Sequence, residues 1–368
     1  MDGKFANEER IGGLSYWRDI LLIAAVIISC LYFARSLLIP LAAAIFLFVL
    51  LTALADRIIR FRFGNFGIPI WLAYVVSIIL VLFGMLSVLW ILTQQDAAVF
   101  AAFPKYEARF AIWISGFGDF IGEDNTRFII STLQSLDFRG WALGALGSAT
   151  SVLKMLFLIV LFLPFMLAER VQMRAKVKLA AVSPEVGTQI LNVMNDASHS
   201  LQRYIGVKTL VSLLTGAFSY AVMKPLGVDF AETWAIMTFL LNFIPSIGSI
   251  ISVVMPAIVA IVQFDSITPF LIIVFGCGGI QFLIGNVLEP ALMGKSLNLS
   301  PLMVIFSLTF WGTIWGVMGA LLSVPITVCI MLLLSHVPRV RWIAILMSGN
   351  GTFPTSADQS HPDEHPLV

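Results

Sequence analysis

The stretch Thr233–Phe264 reads TWAIMTFLLNFIPSIGSIISVVMPAIVAIVQF, 32 residues without an Asp, Glu, Lys or Arg. A bilayer core needs only about 20 apolar residues of helix. Its middle, Asn242-Phe-Ile-Pro245-Ser246-Ile-Gly248-Ser249, gathers residues that interrupt a helix. Each half falls short of a full span. Irregular backbone at membrane depth is tolerated only where protein buries it or where it lines a watery cavity. The stretch therefore predicts a re-entrant helix–turn–helix, a broken hairpin that enters the membrane and returns.

A second run repeats the problem. Ser296–Pro338 is free of charged side chains for 43 residues. As one helix it would be about 64 Å long, twice the hydrocarbon thickness. It too carries breakers at its centre, Thr309-Phe-Trp-Gly312-Thr313-Ile-Trp-Gly316-Val-Met-Gly319. Gly248-Ser-Ile-Ile-Ser252-Val, followed by Pro256, matches Gly319-Ala-Leu-Leu-Ser323-Val, followed by Pro325, with a slip before the proline. Each hairpin follows one apolar span, Thr209–Met223 and Ser266–Leu288. Entering from opposite sides, the two pairs make an inverted repeat, an architecture recurrent in secondary transporters.

The rest of the chain agrees with membrane residence. Of its 368 residues 59% are hydrophobic and 12% charged, where soluble domains carry about 25% charged residues. Ile20–Ala34 and Ser36–Ala55 read as two spans forming a tight hairpin at Arg35 and Pro40. Ile68–Gln95 reads as the third span and Gly140–Ala168 as the fourth. The fold class expected is an all-α polytopic membrane protein of about eight membrane segments. No cleavable signal peptide is expected, because the first residues, MDGKFANEERIGG, are polar.

Basic residues orient the chain. Arg57, Arg60 and Arg62, then Arg170, Arg174, Lys176 and Lys178, then Arg339 and Arg341 follow successive apolar runs. By the positive-inside rule all three clusters are cytoplasmic. The chain then divides into a cytoplasmic N-terminus at 1–19, three transmembrane helices over 20–95 and an external helical cap at 96–139. A fourth helix covers 140–170 and a cytoplasmic amphipathic helix 171–206, starting at Ser183-Pro184-Glu185. A transport core follows at 207–345 and a disordered cytoplasmic tail at 346–368. Both termini are expected inside, in an inner (cytoplasmic) membrane.

Catalytic patterns are missing. There is no Walker A sequence, no histidine inside a span and no metal-ligand spacing, and Cys30, Cys277 and Cys329 all sit in apolar runs. No enzyme activity, cofactor or metal is expected, and a net charge of +1 gives no reason for a nucleic-acid partner. What stands out is polarity inside apolar runs, where it is costly enough to suggest use. At the first break these groups are Asn242, Ser246 and Ser249, with Pro245 and Gly248 shaping the turn. Gln281 and Asn286 lie on the span between the hairpins, and Thr309, Thr313 and Ser323 flank the second break. Half-helix ends with these side chains could form a substrate pocket; alternatively they hydrogen-bond neighbouring helices. Glu289, before Pro290, carries a coupling proton or caps a loop.

These motifs form a known set. Asn242-Phe-Ile-Pro245-x-x-Gly248 with Pro256, Glu289-Pro-x-Leu-Met-Gly294-Lys295 with Leu299-x-Pro301, and Trp315-Gly-x-x-Gly319 with Pro325 resemble the autoinducer-2 exporter family of membrane permeases. The resemblance covers most of the chain and is most specific from about 200 to 335. It implies an eight-segment transporter with broken hairpins, assembled as a homo-oligomer, a pentamer. Members have been linked to export of autoinducer-2 and to sodium/proton exchange. A permease for a small polar solute, including autoinducer-2, is the function expected. The alternatives are a monovalent cation/proton antiporter, which wants a buried carboxylate, and a membrane scaffold using the external cap.

Overall fold

The computed structural model describes residues 18, 19, 21–60, 68–116, 138–293, 298–337 and 339–351. Among them the only β contact is an isolated bridge between Leu299 and Ser348. The helices are α1 (Leu21–Phe33) and α2 (Arg35–Arg60), then α3 (Ile70–Gly116), α4 (Phe138–Ala180) and α5 (Pro184–Met223). They continue as α6 (Ala231–Leu241), α7 (Ile247–Gln263), α8 (Thr268–Leu283), α9 (Pro301–Ser335) and α10 (Arg341–Met347). A π turn, Ile284–Leu288, joins α8 to a last turn at Glu289–Met293.

Among the described residues five helices are by length and composition apolar enough to cross a membrane, Arg35–Arg60, Ile70–Ile91, Pro184–Met223, Thr268–Met293 and Pro301–Ser335, and the pair Lys154–Arg170 and Gln172–Ala180, bent by 63°, makes a sixth candidate. Their outward faces carry large apolar side chains, among them Ile79, Phe83, Phe275 and Phe282, all more than half exposed. In water that surface would be ruinous; in lipid it is the solvated face. The chain is a multi-pass helical membrane protein.

Four sequence expectations are revised by the backbone. No tight hairpin separates α1 from α2. Ala34 N–H bonds Cys30 O and Leu38 N–H bonds Ala34 O, both at 2.9 Å, so the helical ladder runs through a single turn residue. Leu31 and Leu38 lie against the same Trp311 and Trp315 rings, so the chain bends there without reversing. Pro40 removes one backbone donor but supplies no turn.

The second revision concerns the boundary expected at 206. α5 begins at the expected Ser183 cap, whose Oγ accepts from Val186 N–H at 3.4 Å, and then runs unbroken for 40 residues. Leu201, Tyr204 and Ile205 continue its buried face against Val49, Val324, Val328 and Leu332. Lys208, inside this continuous run, is paired with Glu289.

Third, α3 carries straight on from its apolar half to Gly116, so the start of the external segment is an extension of a span. The remainder of that segment, with Ile129, Leu133 and Leu136, lies outside the described residues, as do residues 1–17 and 352–368. Fourth, residues 346–351, expected in a disordered tail, are ordered against the helices. Met347 is buried with Met331 and Ala344, and Gly349 N–H bonds Asn298 O at 2.8 Å.

Both long runs double back. α6 and α7 form hairpin 1. Its two ends meet where Gln263 Oε1 accepts from Asp229 N–H at 2.8 Å and Gln263 Nε2 donates to Gly227 O at 2.7 Å. In α9 the helical path is lost at Gly316, at φ 63° and ψ −142°. Trp311 Nε1 then donates to Thr327 Oγ1 over 3.3 Å, although sixteen residues of straight helix would part them by about 24 Å. The two arms of α9 make hairpin 2.

The hairpins close by the same device. A Cβ on Gly248 would lie 1.8 Å from Leu241 O, and one on Gly319 would lie 1.9 Å from Trp311 O. In each, the serine four residues on bonds the carbonyl three back, Ser252 to Ser249 O at 2.9 Å and Ser323 to Ala320 O at 2.8 Å. Hairpin 1 opens beside Met223, with Val228, Ala231 and Ala257, at the C-terminal end of α5. Hairpin 2 opens beside Leu201 and Ile205, with Val328 and Leu332. Ile205 and Met223 are about 27 Å apart along the helix, so the two openings face opposite ways.

Candidate functional site

One face of α5 is small and polar where apolar contact would be expected. Lys208, Ser212, Thr215 and Ser219 recur at helical spacing and all are buried. Thr215 satisfies its hydroxyl within the helix, on Val211 O at 2.7 Å. Ser212 reaches outward.

It meets the break in hairpin 1. α6 stops at Leu241 because Pro245 cannot continue it, and the turn passes through Ser246, at φ 60° and ψ −56°. That conformation is uncommon for a residue with a side chain and marks a stored constraint. Asn242, the first residue past α6, is 3% exposed and donates Nδ2 to Ser212 Oγ at 3.0 Å. Gln281 comes in from α8, and its Nε2 donates to Asn242 Oδ1 at 3.0 Å and to Ser249 Oγ at 2.9 Å.

Four groups from three elements thus converge at the turn, and none is charged. Two polar atoms beside them, Gln281 Oε1 and Thr238 Oγ1, are buried without a hydrogen-bond partner among the described residues. An unmet buried polar group costs about 1–3 kcal/mol. The arrangement can therefore do two things: lock the hairpin tip to α5 and α8, and offer unmet polar atoms to a solute that supplies their partners.

A second polar locus lies one turn away along α5. Lys208 Nζ is 2.7 Å from Glu289 Oε1, with side chains 8% and 19% exposed. Glu289 owes its position to the π turn, since its N–H bonds Ile284 O five residues back. The buried face of α8 runs through Ile273, Cys277, Gln281 and Ile284. In an uninterrupted α-helix the next position on that face would be Leu288. The inserted residue brings Glu289 there instead.

Beyond the opening of hairpin 1, the outer end of α3 is tied to both its arms. Tyr106 donates to Asp229 Oδ2 at 2.6 Å, and Arg109 Nη1 to Gln263 O at 2.6 Å. Burial first, and the Asp229 carboxylate second, push the Tyr106 phenol well above its usual range.

Of the residues singled out in the sequence, the structure brings Asn242, Ser249 and Gln281 into one cluster, and Pro245, Ser246 and Gly248 form the turn that holds it. Asn286 stands apart, exposed, bonded to Phe282 O at 3.1 Å. Thr309 and Thr313 are exposed on hairpin 2 and bond their own helix, at Ile305 O and Thr309 O. Ser323, fully buried, also stays within its arm. Glu289 is no loop cap but half of an ion pair. Sequence reading missed Ser212, Lys208 and Thr238. The recurrence of Lys208, Ser212, Thr215 and Ser219 on one face was the available signal.

The sequence is similar to those of known proteins. The family model described as AI-2E family transporter matches residues 21–339. The chain is 30% identical over 337 residues to the AI-2 transport protein TqsA of Escherichia coli strain K12, covering 89% of this chain and 94% of that protein. A protein described as a transport protein, from Haemophilus influenzae, is 29% identical over 345 residues, with 91% and 97% covered. Another, from Borreliella burgdorferi, is 33% identical over 228 residues, covering 60% and 62%.

Proposed function

The chain belongs to the AI-2E transporter family, and from that premise we propose that it is a secondary transporter of the cytoplasmic membrane that moves a small, polar, uncharged solute. The observation that carries this reading is the neutral Asn242–Gln281–Ser249–Ser212 cluster at the break of hairpin 1, with Gln281 Oε1 and Thr238 Oγ1 unpartnered beside it. A solute with hydroxyl groups would satisfy both atoms where water is scarce. Autoinducer-2, named for the Escherichia coli relative, is the first solute to test.

In this reading both hairpins are re-entrant and enter from opposite faces of the bilayer as an inverted repeat. Their openings at opposite ends of α5 and their matched glycine closures support it. The opening of hairpin 2 and the C-terminus are cytoplasmic, in keeping with Arg339 and Arg341. A cytoplasmic N-terminus would rest on a hairpin at Arg35 that does not form, so its side is set by labelling a cysteine placed before α1. The protomer works within a homo-oligomer, for which the exposed apolar stripe Val186, Ile190 and Met194 of α5 is one contact surface.

Flux through purified protein in proteoliposomes tests the proposal, with autoinducer-2 and other neutral polyols on one side and a pH or sodium gradient imposed. Solute-specific uptake that Asn242→Ala and Gln281→Ala abolish is the expected result. Wild-type flux in both variants would remove the cluster from the pathway. Cation/proton antiport is the second reading, favoured by the half-buried carboxylate of Glu289. A scaffold role leaves the unmet polar atoms at the break without a use.

A further inference from the structure

Between Asp265 and Arg339 the chain contains one acid, Glu289, and the fold goes to some trouble over it. The π turn Ile284–Leu288 departs from α-helical bonding and turns the half-buried Glu289 towards α5, where it meets the buried Lys208 at 2.7 Å. π turns inside helices recur at functional sites. A buried ion pair gives little net stability, because desolvation of both charges consumes most of the attraction. A pair kept for architecture alone would be served better by arginine, which holds a carboxylate through two donors in a fixed plane. Lysine is a point charge on a flexible stem, suited to letting go.

We propose that Glu289 is the binding site for one mobile positive charge, a proton or an alkali-metal ion, and that the Lys208 ammonium is its built-in competitor. This rests on the reading of the chain as a transporter and concerns the ion that drives it. With Lys208 in place, the pair is neutral. A cation arriving at Glu289 makes the site net positive in a low-dielectric setting, so the lysine must leave the carboxylate. The polar and titratable groups facing this locus are Lys208 and Tyr204 of α5. Tyr204 itself packs with Val324, Val328 and Leu332 of hairpin 2, and Cys329 and Met293, the latter from the turn Glu289–Met293, lie against that cluster. Among the described residues, Lys208 is the cation paired with Glu289.

The consequence reaches the solute cluster. Lys208 lies one helical turn from Ser212, which holds Asn242 at the tip of hairpin 1. Ion occupancy at Glu289 and the hold on that tip are therefore set along one face of α5. Release of Lys208 is the event that links them.

The test uses full-length protein purified in detergent. Radioactive sodium binding and thermal unfolding are followed against sodium, with choline keeping the ionic strength fixed, at acidic and alkaline pH. Lys208→Gln, Glu289→Gln and the double variant are compared. Removing the competitor is expected to tighten sodium binding about tenfold, equivalent to losing roughly one unit of local electrostatic competition. Glu289→Gln and the double variant are expected to bind none. If the ion is a proton, sodium changes nothing, and Lys208→Gln instead gains a pH-dependent step in unfolding that the double variant lacks. Lys208→Gln with neither response overturns the proposal. Should that variant fail to fold, Lys208→Arg, a firmer competitor, is expected to weaken sodium binding or shift the pH step, and wild-type behaviour overturns it. Solute flux is measured separately, so loss of the ion site with retained solute flux would sink this inference and leave the permease reading standing.

Discussion

Gln281 of α8 holds Asn242 at the tip of hairpin 1, Nε2 to Oδ1 at 3.0 Å, across 39 residues of sequence. One amide thereby fixes the depth at which the hairpin stops. Asn242→Ala leaves both Gln281 and Ser212 with unmet atoms. It is expected to cost about 1–3 kcal/mol of stability and to lower solute flux by at least about tenfold. Thermal unfolding and proteoliposome flux on the same preparation check both. Wild-type flux in a destabilised variant would make the bond purely architectural.

The glycine closures give a sharper contrast. Gly248→Ala and Gly319→Ala place a methyl group 1.8 and 1.9 Å from a main-chain carbonyl oxygen, which cannot move aside as a side chain would. Each is expected to lose more than about 3 kcal/mol, with a fall in the yield of monodisperse protein. Gly279, on α8, has nothing within 4 Å of its missing Cβ. Gly279→Ala should fold at least as well as the wild type by size-exclusion and unfolding. A mild effect at Gly248 or Gly319 would mean that the tips are not closed as described.

Sidedness separates the hairpin arrangement from two plain spans. Asp265→Cys, at a position with a 95% exposed side chain beside the opening of hairpin 1, should react from outside the cell with an impermeant maleimide. Arg339→Cys should react only after permeabilisation. Labelling of both from one side would overturn the inverted placement.

The tie between α3 and hairpin 1 has a pH signature. Tyr106 keeps its proton in the folded protein above the ordinary value of 10.0. A raised value means that the folded state binds the proton more tightly, so this contribution is complete below pH 10.0 and is lost as pH climbs from there towards the raised value. Alkaline unfolding scans should show a loss of stability setting in near that point, absent in Tyr106→Phe. Identical profiles would remove Tyr106 from the tie.

Run lengths and breakers made the breaks in the two long apolar runs legible, because a bilayer sets a length no sequence can evade. Asn242, Ser249 and Gln281 could be found as polar groups where polarity is costly. Their convergence could not, since it depends on how α8 packs on hairpin 1. Thr309 and Thr313 carry the same kind of signal, yet they bond their own helix, a use that spacing does not distinguish. Lys208 was missed because a lone charge beside a span gives no sign of its partner, which lies 81 residues away. The π turn had no signal at all: one extra residue in a helix leaves composition and apolar pattern nearly unchanged.

α5 runs 40 residues without a break, about 60 Å, roughly twice the hydrocarbon thickness. Its N-terminal third turns Val186, Ile190 and Met194 outward, and further along the same helix lies the polar face that holds Asn242 and Glu289. A helix of this kind is a shaft. A few degrees of twist imposed at the exposed end, by a neighbouring protomer or by the membrane surface, arrive at Ser212 and Lys208 as the same few degrees, with no joint between to absorb them.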